Sequence, residues 1–276
     1  MSGHATEVSS GDRFEFGANW TKFLKVLNDD RIAQAERSLC DMLGVSNLQG
    51  KTFLDVGSGS GLFSLAARRL GAKVHSFDYD PKSVACTIEL KRRYFPSDSE
   101  WVVEEGSALD NVYLASVGKF DVVYSWGVLH HTGAMWKALA NMAPLVASSG
   151  RLFIAIYNDQ GRSTAMWIKI KKAYCVSPPP LRACILCLAF IRLAGPTALR
   201  ALLKGQVDEA GRNYGKEGGR GMSPWRDVVD WVGGYPFEVA KPEEIFDYYR
   251  SRGFVLEKMQ TCAGGHGCNQ FVFSKC

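Results

Sequence analysis

The chain reads as an α/β fold: a mostly parallel sheet with helices on both faces. Three observations predict it. Strand and helix patterns alternate from Thr52 to Ile156, the arrangement that builds a parallel sheet between helical layers. The first strand, Thr52-Phe-Leu-Asp-Val56, breaks at Gly57, Gly59 and Gly61 and runs straight into the helical pattern Phe63, Ala66, Ala67, Leu70. Glycines permit a sharp turn and a close ligand, and the helix start supplies free N–H groups. Finally, the polar residues with chemical potential in this region sit at or just past strand C-termini, where such sheets bind ligands.

The elements follow in order. Val74–Phe77 is the second strand and ends at Asp78, about 20 residues past the turn, where nucleotide folds place a carboxylate for ribose hydroxyls. Pro81–Tyr94 is a helix with Val84, Ala85 and Ile88 inward. Trp101–Glu105 is the third strand, ending at Gly106-Ser107-Ala108; Phe120–Ser125 is the fourth, opening into Trp126-Gly-Val-Leu-His130-His131. Trp136–Val146 is a helix whose last turn is bent or ended by Pro144. Gly150–Ile156 is the fifth strand, closing on Tyr157-Asn158-Asp159.

Over Lys51–Asp159 the sequence resembles the class I S-adenosylmethionine (SAM)-dependent methyltransferases. The matching residues are Asp55-Val-Gly57-Ser58-Gly59-Ser-Gly61, Asp78, Gly106-Ser107-Ala108 and Phe120-Asp-Val-Val123. The Gly-x-Gly-x-Gly spacing suits that family better than the Gly-x-Gly-x-x-Gly of dehydrogenases. The resemblance implies a Rossmann-like sheet of seven strands, with strands six and seven as a final hairpin. Phe254–Thr261 and Asn269–Ser274, after the helix Pro242–Gly253, fit that hairpin.

The resemblance also implies a cofactor, SAM, and a set of contacts. Gly57, Ser58, Gly59 and Gly61 meet its amino-acid end, and Asp55 orders the loop or meets the ammonium. Asp78 accepts from the ribose hydroxyls, Tyr79 packs on adenine, and Ser107 and Ala108 lie at the adenine edge. Ser125 and Trp126 face the methyl end. Methyl transfer is an in-line displacement, accelerated by alignment, and a base is needed only where the acceptor loses a proton. His131 matches a histidine common in relatives, and His130 stands where ubiquinone-type O-methyltransferases tend to carry an acid. These two and Tyr157 are the catalytic candidates; Trp20, Trp126 and Asn158 are the acceptor-binding ones.

Four regions result. Residues 1–50 hold a polar, mobile tail, Met1–Gly11, then the aromatic stretch Arg13–Leu24, which is either packing or a flap carrying Phe16 or Trp20 over the sulfonium, a cation attracted to aromatic faces. The helix Asp30–Leu43 shows the stripe Ile32, Ala35, Leu39, Leu43. Residues 51–160 are the SAM-binding core, and 242–276 complete it. The insert, 161–241, is too long for an ordinary loop: helical Met166–Tyr174, a break at Pro178–Pro180, apolar Leu181–Leu193, a second piece Thr197–Lys204 after Pro196, charged Glu209–Gly221 and aromatic Trp225–Phe237. It is a lid, a helical hairpin, or, at 181–204, a peripheral contact with a membrane.

The net charge of +5 permits an anionic partner without demanding one, and no dense basic stripe points to nucleic acid. The polar N-terminus lacks a signal-peptide core, and the eight scattered cysteines read as reduced thiols, so a cytoplasmic enzyme is expected. Cys262, His266 and Cys268 lack the paired spacing of a zinc site and read as a Gly-rich turn, without metal. Ser125-Trp-Gly-Val128 is not the Asn/Asp-Pro-Pro-Tyr/Phe box of enzymes that methylate planar nitrogen. The expected reaction is methylation of a small-molecule or lipid-like acceptor, at oxygen. The alternatives are a tRNA- or protein-modifying transferase, an NAD(P)-binding oxidoreductase and a non-catalytic SAM-binding protein.

Overall fold

In the computed structural model, residues 3–203 and 224–275 are described. A seven-stranded sheet runs in the order β3-β2-β1-β4-β5-β7-β6, with β1 Thr52–Val56, β2 Lys73–Asp78, β3 Trp101–Glu105, β4 Phe120–Trp126, β5 Val146–Tyr157, β6 Phe254–Gln260 and β7 Cys268–Lys275. Strands β1 to β5 pair in parallel; β7 runs antiparallel between β5 and β6. The strand order reverses between β1 and β4, and the crevice there opens above their C-termini.

Successive residues of the strands feed opposite faces. Leu54, Val123 and Ile154 join one core, with Leu139, Ile245 and Tyr249; Phe53, Val122, Tyr124 and Phe153 join the other, with Ile32, Leu39, Leu65 and Leu90. The first core is covered by α6 Asn111–Val117, α7 Met135–Met142 and α11 Pro242–Arg250, the second by α3 Asp29–Leu43, α4 Leu62–Arg69 and α5 Pro81–Tyr94. The four residues of the α3 stripe are all buried. Its ends are set chemically: Asn28 accepts from the Arg31 N–H, and Gly44 closes it in the left-handed region.

Four local expectations change. Met1–Gly11 is not a free tail: Gly3–Ser10 forms helix α1 with His4 buried, because His4 and Glu7 find partners far along the chain. In α5 the inward residues are Ser83, Val84, Cys86, Thr87 and Leu90, whereas Ala85 is exposed and Ile88 is 49% exposed. The reason lies in the glycine turn, where the Ser58 and Thr87 hydroxyls are hydrogen-bonded at 2.9 Å. The helix before β5 stops at Met142, and Pro144 sits in a short 3₁₀ turn from which β5 departs. Pro196 does not divide the apolar run, since one helix, α9 Pro179–Leu203, passes through it; a proline can be carried as a local defect when packing favours the helix.

The insert after β5 contains α8 Arg162–Val176, α9, and α10 Pro224–Gly233. Trp167, Tyr174, Ala189, Val232 and Phe237 make a third apolar cluster among them. The stretch Glu209–Gly221 lies outside the described residues. α2, Gly17–Phe23, packs against α5.

Candidate active site

A cavity of about 680 Å³ lies over the C-terminal ends of β1, β2, β4 and β5. The glycine turn forms its floor. Gly57, Gly59 and Gly61 have φ of +79°, +56° and +79°, in the left-handed region that favours glycine. A Cβ on Gly57 would lie 2.4 Å from Val128 Cγ1, one on Gly59 3.1 Å from Trp20 Nε1, and one on Gly61 2.9 Å from Thr87. The turn is therefore squeezed by its neighbours, and Gly57, Ser58 and Gly59 line the cavity.

Two carboxylates organise this end. Asp55 is buried within the sheet, where the Ser64 hydroxyl donates to it at 2.5 Å. Burial, with Asp78 nearby, pushes its pKa up to about 7 against the pull of that hydrogen bond. Asp55 thus ties the turn to α4. Asp78 Oδ2 accepts from the Gly59 N–H at 2.8 Å, and Oδ1 from the Asp80 N–H at 2.9 Å. Burial raises its pKa to about 6, opposed by these N–H donors. Asp78, Tyr79, Ser107 and Ala108 all line the cavity.

The N-terminal residues, which sequence reasoning left as a tail, cover this end. Tyr79 donates its hydroxyl to Glu7 at 3.0 Å, and Arg13 Nε donates to the other oxygen of Glu7 at 2.5 Å. Arg13 also lies 5.1 Å above the Tyr79 ring, and His4 meets that ring edge-on. Asp80 accepts from the Gly17 N–H at 2.7 Å while capping α5. Nothing local in Gly3–Ser10 signals these bonds; apart from Arg13, the partners are distant in sequence.

At the other end Trp126, His131, Tyr157, Asp230, Trp231 and His266 line the cavity, with Phe16 and Trp20 above. The Phe16 and His131 rings are 5.0 Å apart, and Tyr157 meets His131 edge-on at 5.5 Å. His131 Nδ1 is 2.6 Å from the Pro236 carbonyl, so the ring donates there and turns Nε2 into the acceptor. Burial, with the Lys171 and Arg13 charges beside it, pushes its pKa down to about 3. The ring is neutral at physiological pH. Asp230 and Trp231 come from α10, and Asn19 Nδ2 donates to Asp230 Oδ1. Behind Trp231, the buried Lys171 amine donates to the Trp231 carbonyl and lies 4.4 Å from each of the Trp231 and Phe237 rings. Burial lowers its pKa to about 7. The aromatic composition of Trp225–Phe237 was the sequence signal for this wall; Lys171 was not singled out in the sequence.

Four expected site residues do not line the cavity: Gly61, which closes the turn against Thr87, and Ser125, His130 and Asn158. Ser125 is fully buried, and its hydroxyl donates to the Val56 carbonyl at 3.0 Å. It stitches β4 to β1, and its strand neighbour Trp126 faces the cavity instead. His130 is fully buried beneath His131, with its Nδ1 3.3 Å from the Tyr157 amide that donates to it. Asn158 turns away to accept from Asn269 Nδ2 at 3.0 Å, and the backbone there bridges to Ala240. In each case a strand or turn alternates sides, and the adjacent residue takes the inward position.

A glycine-turned β1–α4 junction, a carboxylate ending β2 and a deep crevice at the strand-order reversal define a nucleotide-binding α/β transferase fold. Residues 28–179 match the family described as the methyltransferase domain, and the chain belongs to that family, as a class I SAM-dependent methyltransferase. The ubiquinone biosynthesis O-methyltransferase of Caulobacter sp. (strain K31) is 28% identical over 149 residues, 52% of this chain and 54% of that one. A ribosomal protein L11 methyltransferase from Methylococcus capsulatus is 40% identical over 75 residues, 26% of each chain. The chain thus spans about half, or less, of the length of these curated relatives. Among solved structures, magnesium protoporphyrin IX methyltransferase (ChlM) from Synechocystis PCC 6803 with bound SAH aligns at a TM-score of 0.52 and 14% identity, covering 89% of this chain and 83% of its own. An O-methyltransferase family protein from Burkholderia thailandensis aligns at 0.54 and 12%, covering 90% and 57%. These two likenesses speak to the fold.

Proposed function

We propose that the chain moves the methyl group of SAM to the oxygen of a small, largely apolar acceptor held between β4, β5 and the insert. The observation that carries this reading is the single continuous cavity. Its one end offers the glycine turn, Asp78, Ser107 and Ala108; its other end offers aromatic rings with His131, Tyr157 and Asp230. A cofactor whose amino-acid part lies on the turn and whose ribose meets Asp78 directs its sulfonium toward Trp20, Trp126 and Phe16. Aromatic faces attract that cation. The acceptor oxygen attacks the methyl carbon as the carbon–sulfur bond breaks, so SAM leaves as the neutral thioether and the acceptor proton is released.

His131 serves this step as a neutral hydrogen-bond acceptor. With Nδ1–H committed to Pro236, Nε2 is left to take a hydrogen bond from the acceptor hydroxyl and aim its lone pair at the methyl group. A ring whose pKa lies near 3 is a poor proton store at neutral pH, which supports orientation as its main contribution. His131→Ala is expected to lower methyl transfer about a hundredfold while sparing SAM affinity. The wild-type turnover should show no histidine limb between pH 5 and 8.

The test uses methyl-labelled SAM with a metabolite extract, then with purified phenols and hydroxylated lipids, alongside calorimetry with SAM and NADH. Label transferred to an extractable small molecule supports the reading. Label found only in tRNA or protein overturns the small-molecule acceptor, and binding of NADH in place of SAM overturns the cofactor contacts.

A further inference from the structure

The insert carries a surface that the cavity does not use. On its inner side α9 packs Ile185, Ala189 and Phe190 into the third cluster. Its outer side is apolar too: Leu181, Leu188 and Ile191 are 50%, 69% and 66% exposed, with Cys184 exposed between them. The spacing 181, 184, 188, 191 places them in one strip along the helix. A helix on the surface of a water-soluble domain ordinarily turns a polar side outward, and one that is apolar all round is covered on all sides. Among the described residues none covers this strip.

Charge selects the occupant. From Asp159 to Asp208 the chain has no acid, yet it carries Arg162, Lys169, Lys171, Lys172, Arg182, Arg192, Arg200 and Lys204. Lys169, Lys172 and Arg192 are exposed, the last beside Ile191. A second copy meeting this face about a two-fold axis would set like charges against each other. An anionic surface with an apolar interior matches both features. No helix among the described residues is long and apolar enough to cross a membrane, so α9 would lie along the interface.

We propose that the outer strip of α9 docks on an anionic lipid bilayer, with Leu181, Leu188 and Ile191 at the acyl boundary and Lys169, Lys172 and Arg192 among the headgroups. The docked helix packs on α8 and α10, and α10 supplies Trp231 to the cavity wall. This inference is independent of the acceptor, so it stands or falls apart from the methyl-transfer reading.

The experiment is co-sedimentation of the full chain with vesicles of phosphatidylcholine alone and of phosphatidylcholine with phosphatidylglycerol in equal parts. Binding to the anionic vesicles, weakened by high salt, is expected. The double variant Leu188→Asp, Ile191→Asp should lose at least about tenfold in partitioning while keeping the rise in melting temperature caused by S-adenosylhomocysteine, which reports an intact fold and cofactor site. Arg192→Glu should reduce the preference for anionic over neutral vesicles. Equal partitioning of the double variant, or no binding to anionic vesicles, would overturn the proposal. So would a solution dimer that the same double variant disperses.

Discussion

At Asp78 two pH dependences of opposite sign meet. In the unfolded chain its carboxyl titrates near 3.8, and in the fold near 6. A raised carboxyl pKa means the empty fold is least comfortable with the charge, so acidification from about pH 6 toward 4 relieves a cost and stabilises the unliganded protein through this group. Cofactor binding runs the other way. The ribose hydroxyls need an ionised acceptor and the sulfonium nucleoside favours a nearby negative charge, so SAM affinity should fall by up to about tenfold per pH unit below pH 6. Asp78→Asn should weaken SAM binding by about 1–3 kcal/mol at pH 7.5 and flatten that dependence. Calorimetric titration across pH 5 to 8 on both proteins checks it; an unchanged affinity in the variant removes the ribose assignment. The same scale shows what a sequence conveys about a site. Gly57, Gly59, Asp78, Ser107, Ala108, Trp126, His131 and Tyr157 were legible because their chemistry sits at strand ends, and all line the cavity. Ser125, His130 and Asn158 were chosen by the same rule and stand one residue out of phase. Strand ends locate the crevice; the phase of the final residue depends on pairing partners that are remote in sequence.

Between β1 and α4 the turn is fixed by both its torsions and its neighbours. Gly57→Ala would hold a non-glycine residue at φ +79° and drive its Cβ into Val128. The first effect costs about 1–3 kcal/mol, and the overlap costs a similar amount. Val128→Ala in the same chain removes the two closest contacts, at 2.4 and 2.6 Å, and leaves both the torsion and a 2.9 Å approach to its Cβ, so the pair should recover part of the loss and no more. Denaturant unfolding of the two single variants and the double variant checks this, with SAM titration of each folded species. Complete recovery would mean that the torsion is not limiting, and no recovery would mean that the Val128 contact is not. Element boundaries were readable where local chemistry sets them. Asp80 accepts from the Lys82 N–H and Pro81 opens α5, and both are visible in the sequence. The inward face of α5 was not, because apolar character favoured Ile88 whereas the glycine turn needs Thr87 beneath it. Helix α1 was missed for a related reason: Gly-His-Ala-Thr-Glu-Val-Ser-Ser has no apolar stripe, and its anchors are the remote Tyr79 and Asp80.

For the molecule as a whole, the sheet supplies the crevice floor while two separate parts of the chain roof it. The N-terminal arm, residues 3–23, and the insert meet over the cavity: Asn19 donates to Asp230, the Phe14 N–H to the Tyr235 carbonyl at 2.8 Å, and Arg13 to the His131 carbonyl at 2.8 Å. A ligand on the glycine turn lies beneath both parts of that roof, so occupancy and roof closure are expected to rise together. Saturation with S-adenosylhomocysteine at about a hundredfold above its dissociation constant stabilises the fold by about 2.7 kcal/mol, which for a chain of this size raises the melting temperature by roughly 5–10 °C. The arm holds Arg13 and Lys22, with Lys25 just beyond it, and trypsin reports on it directly. Cleavage there should be slow in the liganded protein and faster without ligand, in proportion to the population of open roof. Asp230→Ala removes the bond to Asn19 from the insert side, so it should speed cleavage of the unliganded arm. The loss of protection should be partial, because Arg13 and Phe14 still hold their carbonyls, and ligand should restore some of it. Equal cleavage with and without ligand would show that the arm does not gate the crevice. An unaltered rate in Asp230→Ala would show that the bond between Asn19 and Asp230 does not hold the arm.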